Sequence, residues 1–183
     1  IEVGQGPGNG GVPTSYTVTA SPSGAQCTVN SPATSCTIAG LTNGTPYTFS
    51  VVATNSSGSS TATVSGPVTP ASVPSAPTSP VATVDDGRAT VSFTAPANSA
   101  AGNGGSAITS YSVTAYDSSG NAVTTCTVAA PATSCVVTGL TNGTPYTYKV
   151  VATNAIGSST ASAASAAVTP ATVPGAPATV SAS

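Results

Sequence analysis

The chain has 183 residues, of which only two are basic and four are acidic, and it contains no histidine, methionine or tryptophan. Two basic side chains cannot neutralise a run of phosphates, which excludes nucleic-acid binding and leaves no attraction to an anionic membrane surface. No apolar run reaches the roughly 18 residues of a transmembrane helix, so no membrane insertion is expected. The abundance of Ser, Thr, Ala, Val, Gly and Pro favours short strands and turns, and therefore an all-β fold.

The chain contains one unit twice. Residues 33–47 return almost unchanged as residues 132–146, and Thr69-Pro70 returns as Thr169-Pro170. Self-similarity at a fixed period indicates tandem copies of one domain. We predict a first domain over residues 1–70, a proline-rich linker over 71–80, a complete domain over 78–170, and a further strand over 171–183.

The first copy is expected to be incomplete. Its Gly-Asn-Gly-Gly loop at residues 8–11 matches residues 102–105 of the second copy, which leaves only residues 1–5 in front of it. We therefore expect the first domain to lack its first strand and part of its second. The prolines of the linker should make it semi-rigid.

The second copy contains seven predicted strands. They cover residues 78–84, 89–94, 108–116, 122–128, 134–138, 146–154 and 159–168. Alternation of apolar and polar residues supports them, with Val91 and Phe93 as inward positions. Residues 102–105 precede a strand and no lysine follows, so they are predicted to be a flexible loop and not a phosphate-binding loop. Seven short strands separated by turns are typical of an immunoglobulin-like β-sandwich.

One run of residues carries a family resemblance. Residues 139–146, Gly-Leu-Thr-Asn-Gly-Thr-Pro-Tyr, are followed by Val-x-Ala-x-Asn, and a Val-Pro-x-Ala-Pro segment opens the domain. This pattern resembles the fibronectin type III repeats of bacterial proteins over nearly the whole chain, although Phe93 stands where many members have tryptophan. The resemblance implies tandem fibronectin type III β-sandwiches. It also implies a tyrosine corner in each copy, with the tyrosine hydroxyl bonded to backbone, formed by Leu41 with Tyr47 and by Leu140 with Tyr146.

The four cysteines recur with the repeat. Cys27 and Cys36 return as Cys126 and Cys135, nine positions apart in each copy. Because each copy must fold by itself, we predict the disulfides Cys27–Cys36 and Cys126–Cys135. This spacing, without histidine, does not fit a zinc site or a redox-active pair. Disulfides indicate an oxidising compartment, so we expect an extracellular or cell-surface protein.

The sequence offers no catalytic residue and no cofactor or metal site. A general base or a catalytic triad needs histidine or a carboxylate with a shifted pKa. Asp85 and Asp86 are adjacent in a predicted hairpin turn. Calcium binding at this turn is the alternative, and it would need further oxygen ligands. We therefore predict that the protein is not an enzyme.

The aromatic residues are too few to form a sugar-binding platform, so carbohydrate binding is possible but unsupported. Tyr146 and Tyr148 share one face of a predicted strand with Val150, which favours packing in the core. Tyr116 is the most plausible exposed tyrosine.

Two explanations stay open for residues 171–183. Either they lead into further repeats of the same chain, or they complete the first sandwich of a neighbouring copy by strand addition. Such a head-to-tail contact does not close and would generate a filament. The residues of this candidate inter-subunit strand are Val173, Pro174, Ala176, Pro177 and Val180.

Two functions are therefore compatible with the sequence, because fold does not determine function. The first is a structural repeat protein of a bacterial extracellular filament or cell-surface appendage, whose partners are copies of itself. The second is a spacer or accessory module of a secreted polysaccharide-degrading enzyme, or a weak adhesin.

Overall fold

The computed structural model describes residues 1–2, 11–173 and 175. The chain forms two compact units, Ile1–Ala71 (unit 1) and Ser72–Ser183 (unit 2). The strands of unit 1 are β1 (Ser15–Ser21), β2 (Gln26–Asn30), β3 (Thr48–Asn55), β4 (Gly58–Ser59) and β5 (Thr63–Val64). Unit 2 contains β6 (Thr78–Asp85), β7 (Arg88–Thr94), β8 (Ile108–Tyr116), β9 (Ala122–Ala129), β10 (Ser134–Thr138) and β11 (Thr147–Asn154), with one helical turn, α1 (Ala100–Asn103).

Unit 2 is a sandwich of two antiparallel sheets, in the orders β10-β7-β6 and β11-β8-β9. Alternation places every second side chain of each strand between the sheets. In β11, for example, Tyr148, Val150 and Ala152 are all 0% exposed. The all-β sandwich fold predicted from the composition and the turns is confirmed.

Unit 1 contains the counterpart of the second of these sheets, in the order β2-β1-β3-β4, with β5 also paired to β3. Tyr16, Val18 and Ala20 of β1 are buried, as are Tyr47 and Phe49 around the start of β3. Residues 33–39 correspond to β10 of unit 2. Among the described residues, they pair only with Ile1 and Glu2, through one isolated bridge.

The glycine-rich loop of unit 2 differs from its prediction, because its first residues form α1 rather than a flexible loop. Gly102 is buried, and a Cβ atom at this position would lie 2.1 Å from the carbonyl oxygen of Ala97. Gly104 ends the helical turn with a φ of 73°, in the left-handed region that glycine adopts at no steric cost. These two glycines therefore permit a close packing of the chain that the sequence pattern did not indicate.

The segment after Ala71 is bound to unit 2. The N–H groups of Ser72 and Ser75 donate to the carbonyl oxygens of Gly104 and Gly102, both at 2.8 Å. Pro77 is fully buried. Most of the residues predicted to form the linker thus make their contacts within unit 2.

The last predicted strand, residues 159–168, is not a regular strand. Its contacts with β11 come from serine residues three positions apart, and one isolated bridge joins Val168 to Tyr146, the residue before β11. A regular antiparallel ladder needs a two-residue period on both strands. The three-residue serine period explains why this prediction was wrong in detail, although the segment does lie along β11.

Candidate functional site

Each unit contains a tyrosine bonded to the backbone of the preceding turn. The N–H of Thr42 donates to the hydroxyl oxygen of Tyr47 at 3.1 Å, and the N–H of Thr141 donates to that of Tyr146 at 3.2 Å. Both tyrosine side chains are buried. These hydrogen bonds have the arrangement expected of a tyrosine corner.

The two leucines of this motif differ in their surroundings. Leu140 is buried and its N–H donates to the carbonyl oxygen of Gly87 at 2.9 Å, which joins the turn to the β6–β7 hairpin. Leu41 is only partly buried.

One disulfide links neighbouring segments in each unit, as predicted. Cys27 of β2 is bonded to Cys36, and Cys126 of β9 is bonded to Cys135 of β10, with Cα–Cα distances of 6.2 and 6.3 Å. A closed loop of about ten residues stabilises a domain by roughly 2.5–3 kcal/mol in the chain-entropy account. In unit 1 the disulfide fixes residues 33–39 to the edge of the sheet, where their described backbone bonds are those with Ile1 and Glu2 and one turn bond to Asn30.

The acidic residues of unit 2 stabilise turns. A hydrogen bond from the Arg88 guanidinium holds the pKa of Asp85 below its ordinary value. The Asn142 side chain donates to Asp86 at 2.6 Å and accepts the Gly87 N–H at 2.9 Å. In the described part of the chain, no three His, Cys, Asp or Glu side chains are grouped so that they could bind a metal ion.

A second acidic turn follows β8. The backbone N–H of Asn121 donates to the Asp117 carboxylate at 2.9 Å and, with further hydrogen bonds, lowers the pKa of Asp117. The partners of all these acids are turn amides and one arginine, so their contacts account for them as structural groups.

The tyrosines of β8 and β11 are divided between the core and the surface. Tyr148 is completely buried, and burial raises its pKa above the ordinary value. Tyr116 is partly exposed, with the Lys149 ammonium nitrogen 5.2 Å from its ring centroid. This single cation–π pair lies outside the core and provides no stacked aromatic platform.

The inner face of unit 1 is the feature that distinguishes the two copies. Six positions that are buried in unit 2 are only partly buried in unit 1. In unit 1 they are Cys36, Ile38, Leu41, Val51, Ala53 and Asn55, and in unit 2 they are Cys135, Val137, Leu140, Val150, Ala152 and Asn154. In unit 2 the same face is covered by the β6–β7 hairpin, which contributes Ala89, Val91 and Phe93 to the core.

The backbone at this face also has no ladder partner at Ile38 among the residues that the structure describes. Val137 of unit 2 pairs with Ala89 in the β10–β7 ladder. Its counterpart Ile38 makes no hydrogen bond with any described residue, whereas the neighbouring Cys36 exchanges hydrogen bonds of 3.2 and 3.1 Å with Ile1. We call Ile38, Leu41 and Val51, together with this backbone edge, the open face of unit 1. An apolar face beside an unpaired strand edge can accept a further β-strand.

The candidate inter-subunit strand lies mostly outside the described residues. Val173 is described and is 83% exposed. Pro174, Ala176, Pro177 and Val180 are not among the residues that the structure describes.

Two features are not fully predictable from the residue pattern. The incomplete cover of unit 1 is expected from the repeat comparison, but the side chains that it leaves partly exposed are identified only when burial is compared between the copies. The serine residues of 159–168 do carry a signal, the spacing Ser-x-x-Ser-x-x-Ser, which the prediction of an ordinary strand over these residues does not use.

Two packed antiparallel sheets in the complete unit, with a tyrosine bonded to its turn and a disulfide in each copy, define a class of tandem immunoglobulin-like β-sandwich domains. The family model described as "Fibronectin type III domain" matches residues 5–70 and 75–168. The chain therefore belongs to the fibronectin type III family and contains two tandem copies. Such domains typically serve as non-catalytic structural or spacer modules.

Several solved structures are similar to this chain. A crystal structure of domains from titin is similar over 84% of this chain, with 22% identity and a TM-score of 0.55. A two-domain fibronectin type III segment from chicken tenascin is 26% identical, with 85% of this chain and 83% of that segment covered and a TM-score of 0.48. Titin kinase with its flanking domains is 26% identical over 55% of this chain, with a TM-score of 0.45.

This chain spans 53% of the length of the titin fragment and 18% of the chain that contains titin kinase. No relative is found among curated proteins. Among the residues that the structure describes, no helix has the length and apolar character needed to cross a membrane.

Proposed function

We propose that this pair of fibronectin type III domains is a structural module of a bacterial extracellular filament or cell-surface appendage. Copies associate head to tail when residues 171–183 of one molecule complete unit 1 of the next. The observation that carries this proposal is the open face, where Ile38 has no backbone partner among the described residues and apolar side chains stay partly exposed. The two disulfides support an extracellular setting.

Burial of the open face would favour association. Complete burial of a Val, Leu or Ile side chain contributes about 1.5–3 kcal/mol relative to full exposure. Ile38, Leu41 and Val51 are already partly buried, so each can contribute only part of this amount. The backbone groups of Ile38 would add ladder hydrogen bonds, and a net charge of −2 offers little repulsion between copies.

We infer that the occupant is the C-terminal segment of a second copy. Its sequence repeats the one that leads into β6, and on unit 1 it would take the place of β7, the strand that pairs with β10 in unit 2. The two segments share a Val-Pro-x-Ala-Pro motif, at residues 73–77 and 173–177. Beyond the motif, Ala178, Val180 and Ala182 alternate with hydroxyl residues, as Ala89, Val91 and Phe93 alternate with polar residues in β7. A strand with this alternation can place its apolar side chains on the open face and its hydroxyls in solvent.

The test compares two charge substitutions in adjacent residues of the proposed donor strand. Val180→Asp places a carboxylate toward the open face and should abolish association, because burial of an unpaired charge is strongly unfavourable. Ser181→Asp places the same charge on the solvent side and should leave association unchanged. Light scattering measures the mass in solution, and electron microscopy shows whether the wild-type chain forms filaments.

Equal association of the two variants would overturn the donor-strand proposal. An intact mass of the native polypeptide well above that of this sequence would also count against it. That result would favour the other arrangement, in which further repeats of the same chain continue the array, as in a spacer module of a secreted polysaccharide-degrading enzyme or an adhesin. Association driven by backbone pairing and apolar burial should also change little between low and high salt.

A further inference from the structure

A serine-rich segment forms the border of the β11 sheet in unit 2. We call residues 159–168 the serine edge. In each of three serines, the backbone N–H donates to a carbonyl oxygen of β11 at 2.8–2.9 Å, and the side-chain Oγ accepts the N–H of the same β11 residue at 3.0 Å. The pairs are Ser159 with Ala152, Ser162 with Val150, and Ser165 with Tyr148.

The serine hydroxyls therefore take the place of backbone carbonyls as acceptors for β11. Each hydroxyl also donates to the carbonyl oxygen of the next residue, at 2.7–2.8 Å. The three serines are only 6–9% exposed. Each of them thus satisfies two backbone groups of β11 and engages one carbonyl of its own segment.

The serine edge is shortened relative to the strand that it borders. Its contact residues are three positions apart, whereas their partners in β11 are two positions apart. Two residues of an antiparallel strand span about 6.8 Å, so the serine edge advances only about 2.3 Å per residue. Between successive contacts the serine edge therefore has one residue more than β11, as in a β-bulge. Bulges disrupt strand pairing on the outer side of an edge strand.

The corresponding segment of unit 1 differs in both spacing and conformation. Ser60 and Ser65 repeat the serine contacts, with Ala53 and Phe49 as their partners. Between these two serines, unit 1 has one residue fewer than unit 2 has between Ser159 and Ser165. It has no counterpart of the contact made by Ser162. At that point Thr63–Val64 forms the regular strand β5 on β3. The unit that is one residue shorter in this segment thus has regular strand pairing there.

We propose that the serine edge prevents this border of unit 2 from accepting a strand of another copy, which leaves the open face of unit 1 available for head-to-tail contact. This proposal rests on the proposed function in one respect, because it takes a second copy of the chain as the partner. Ser159, Ser162 and Ser165 are then the residues that determine where copies do not associate.

The experiment regularises the edge in a background that carries Val180→Asp, so the proposed donor strand is disabled in every sample. Deletion of Ala161, Ala164 and Ala167 leaves Ser-Thr-Ser-Ala-Ser-Ala-Val, which alternates with the two-residue period of β11. The matched control replaces the same three alanines with serine and keeps the three-residue spacing. Light scattering then reports the molar mass of each variant over a concentration series.

We expect the deletion variant to associate, with a mass that rises at least about twofold, as for a dimer, while the substitution control stays monomeric. A folded deletion variant that stays monomeric at the highest soluble concentration would overturn the proposal. If the triple deletion does not fold, deletion of Ala161 and Ala164 alone regularises the two intervals between Ser159, Ser162 and Ser165 and is judged by the same outcomes. Failure of head-to-tail assembly is detected separately, in the wild-type chain, so the two proposals can fail independently.

Discussion

Tyr148 and Phe49 occupy equivalent positions in the two repeats and differ only by a hydroxyl group. Tyr148 is 0% exposed, and its hydroxyl oxygen has no hydrogen-bond partner among the described residues. A buried polar group without a partner costs about 1–3 kcal/mol in lost hydration. We therefore expect Tyr148→Phe to raise the free energy of unfolding of unit 2 by about 1 kcal/mol, the lower end of that range, because the phenyl ring keeps its packing.

Scanning calorimetry of the full chain measures this change. A gain of about 1 kcal/mol raises the Tm of a domain of this size by roughly 4–8 °C, and only the transition of unit 2 should move. Tyr146→Phe is the matched control, since it removes the acceptor of the Thr141 N–H and should lower the same transition. A lower Tm for Tyr148→Phe would refute the reasoning, because it would show that the buried hydroxyl has a partner in solution.

Tyr148 should also make the stability of unit 2 depend on pH. Burial raises the pKa of Tyr148 and of Tyr111, so the unfolded chain loses these protons at lower pH than the folded chain does. Stability should therefore not depend on these tyrosines below a pH of about 10, and it should fall as pH rises from there through the folded-state pKa. Tyr148→Phe should reduce this alkaline loss, and an unchanged loss would contradict the assignment.

Three further predictions concern the turns and the disulfides. Gly104→Ala and Gly139→Ala both place a side chain at positive φ, 73° and 75°, but only at Gly104 would the new Cβ meet a neighbour, the Ser72 oxygen at 2.2 Å. In urea denaturation, Gly139→Ala should lower the free energy of unfolding by about 1–2 kcal/mol, and Gly104→Ala should lower it by clearly more. Equal losses would argue against close packing of Ser72 on Gly104. Reduction and alkylation of the two disulfides should lower the free energy of unfolding by roughly 2.5–3 kcal/mol per domain, and an unchanged urea midpoint would show that these bonds do not stabilise the fold. The pKa of Asp117 is lowered chiefly by the backbone N–H of Asn121, so its contribution to stability is present above the unfolded pKa of about 3.9 and is lost as pH falls through the folded pKa. An NMR titration midpoint for Asp117 at or above the unfolded value would contradict this.

The sandwich and its disulfides could be predicted because their signals are local and repeated. Alternation such as that in β11 fixes which side chains enter the core. The equal cysteine spacing in two copies selects one pairing among three, and the structure has that pairing.

The serine edge and α1 could not be derived in the same way. Residues 159–168 lie along a strand, but their period of three matches neither the strand period nor the helix period, and its meaning depends on the β11 backbone beside it. Likewise, Gly102 is required by its approach to the Ala97 carbonyl, a contact that depends on how the chain packs.

The open face could be predicted only in part, because the repeat comparison indicates an incomplete first copy but not which side chains stay exposed. Ile38 and Val137 are similar apolar residues, and the sequences on either side of them are similar. Only the arrangement of the neighbouring strands distinguishes them, because Val137 is covered by β7 while Ile38 is not. Exposure at this position therefore depends on contacts between segments that are distant in sequence, which local patterns do not report.

Amide hydrogen exchange at Ile38 tests the completion of unit 1 most directly. If the strand of a second copy pairs with this edge, exchange of the Ile38 amide should slow as protein concentration rises, because a hydrogen-bonded amide must open before it exchanges. The Val180→Asp variant should exchange rapidly at every concentration. Exchange at Ile38 that is equally fast in the concentrated and the dilute wild-type chain would contradict the proposal that copies of this protein complete one another.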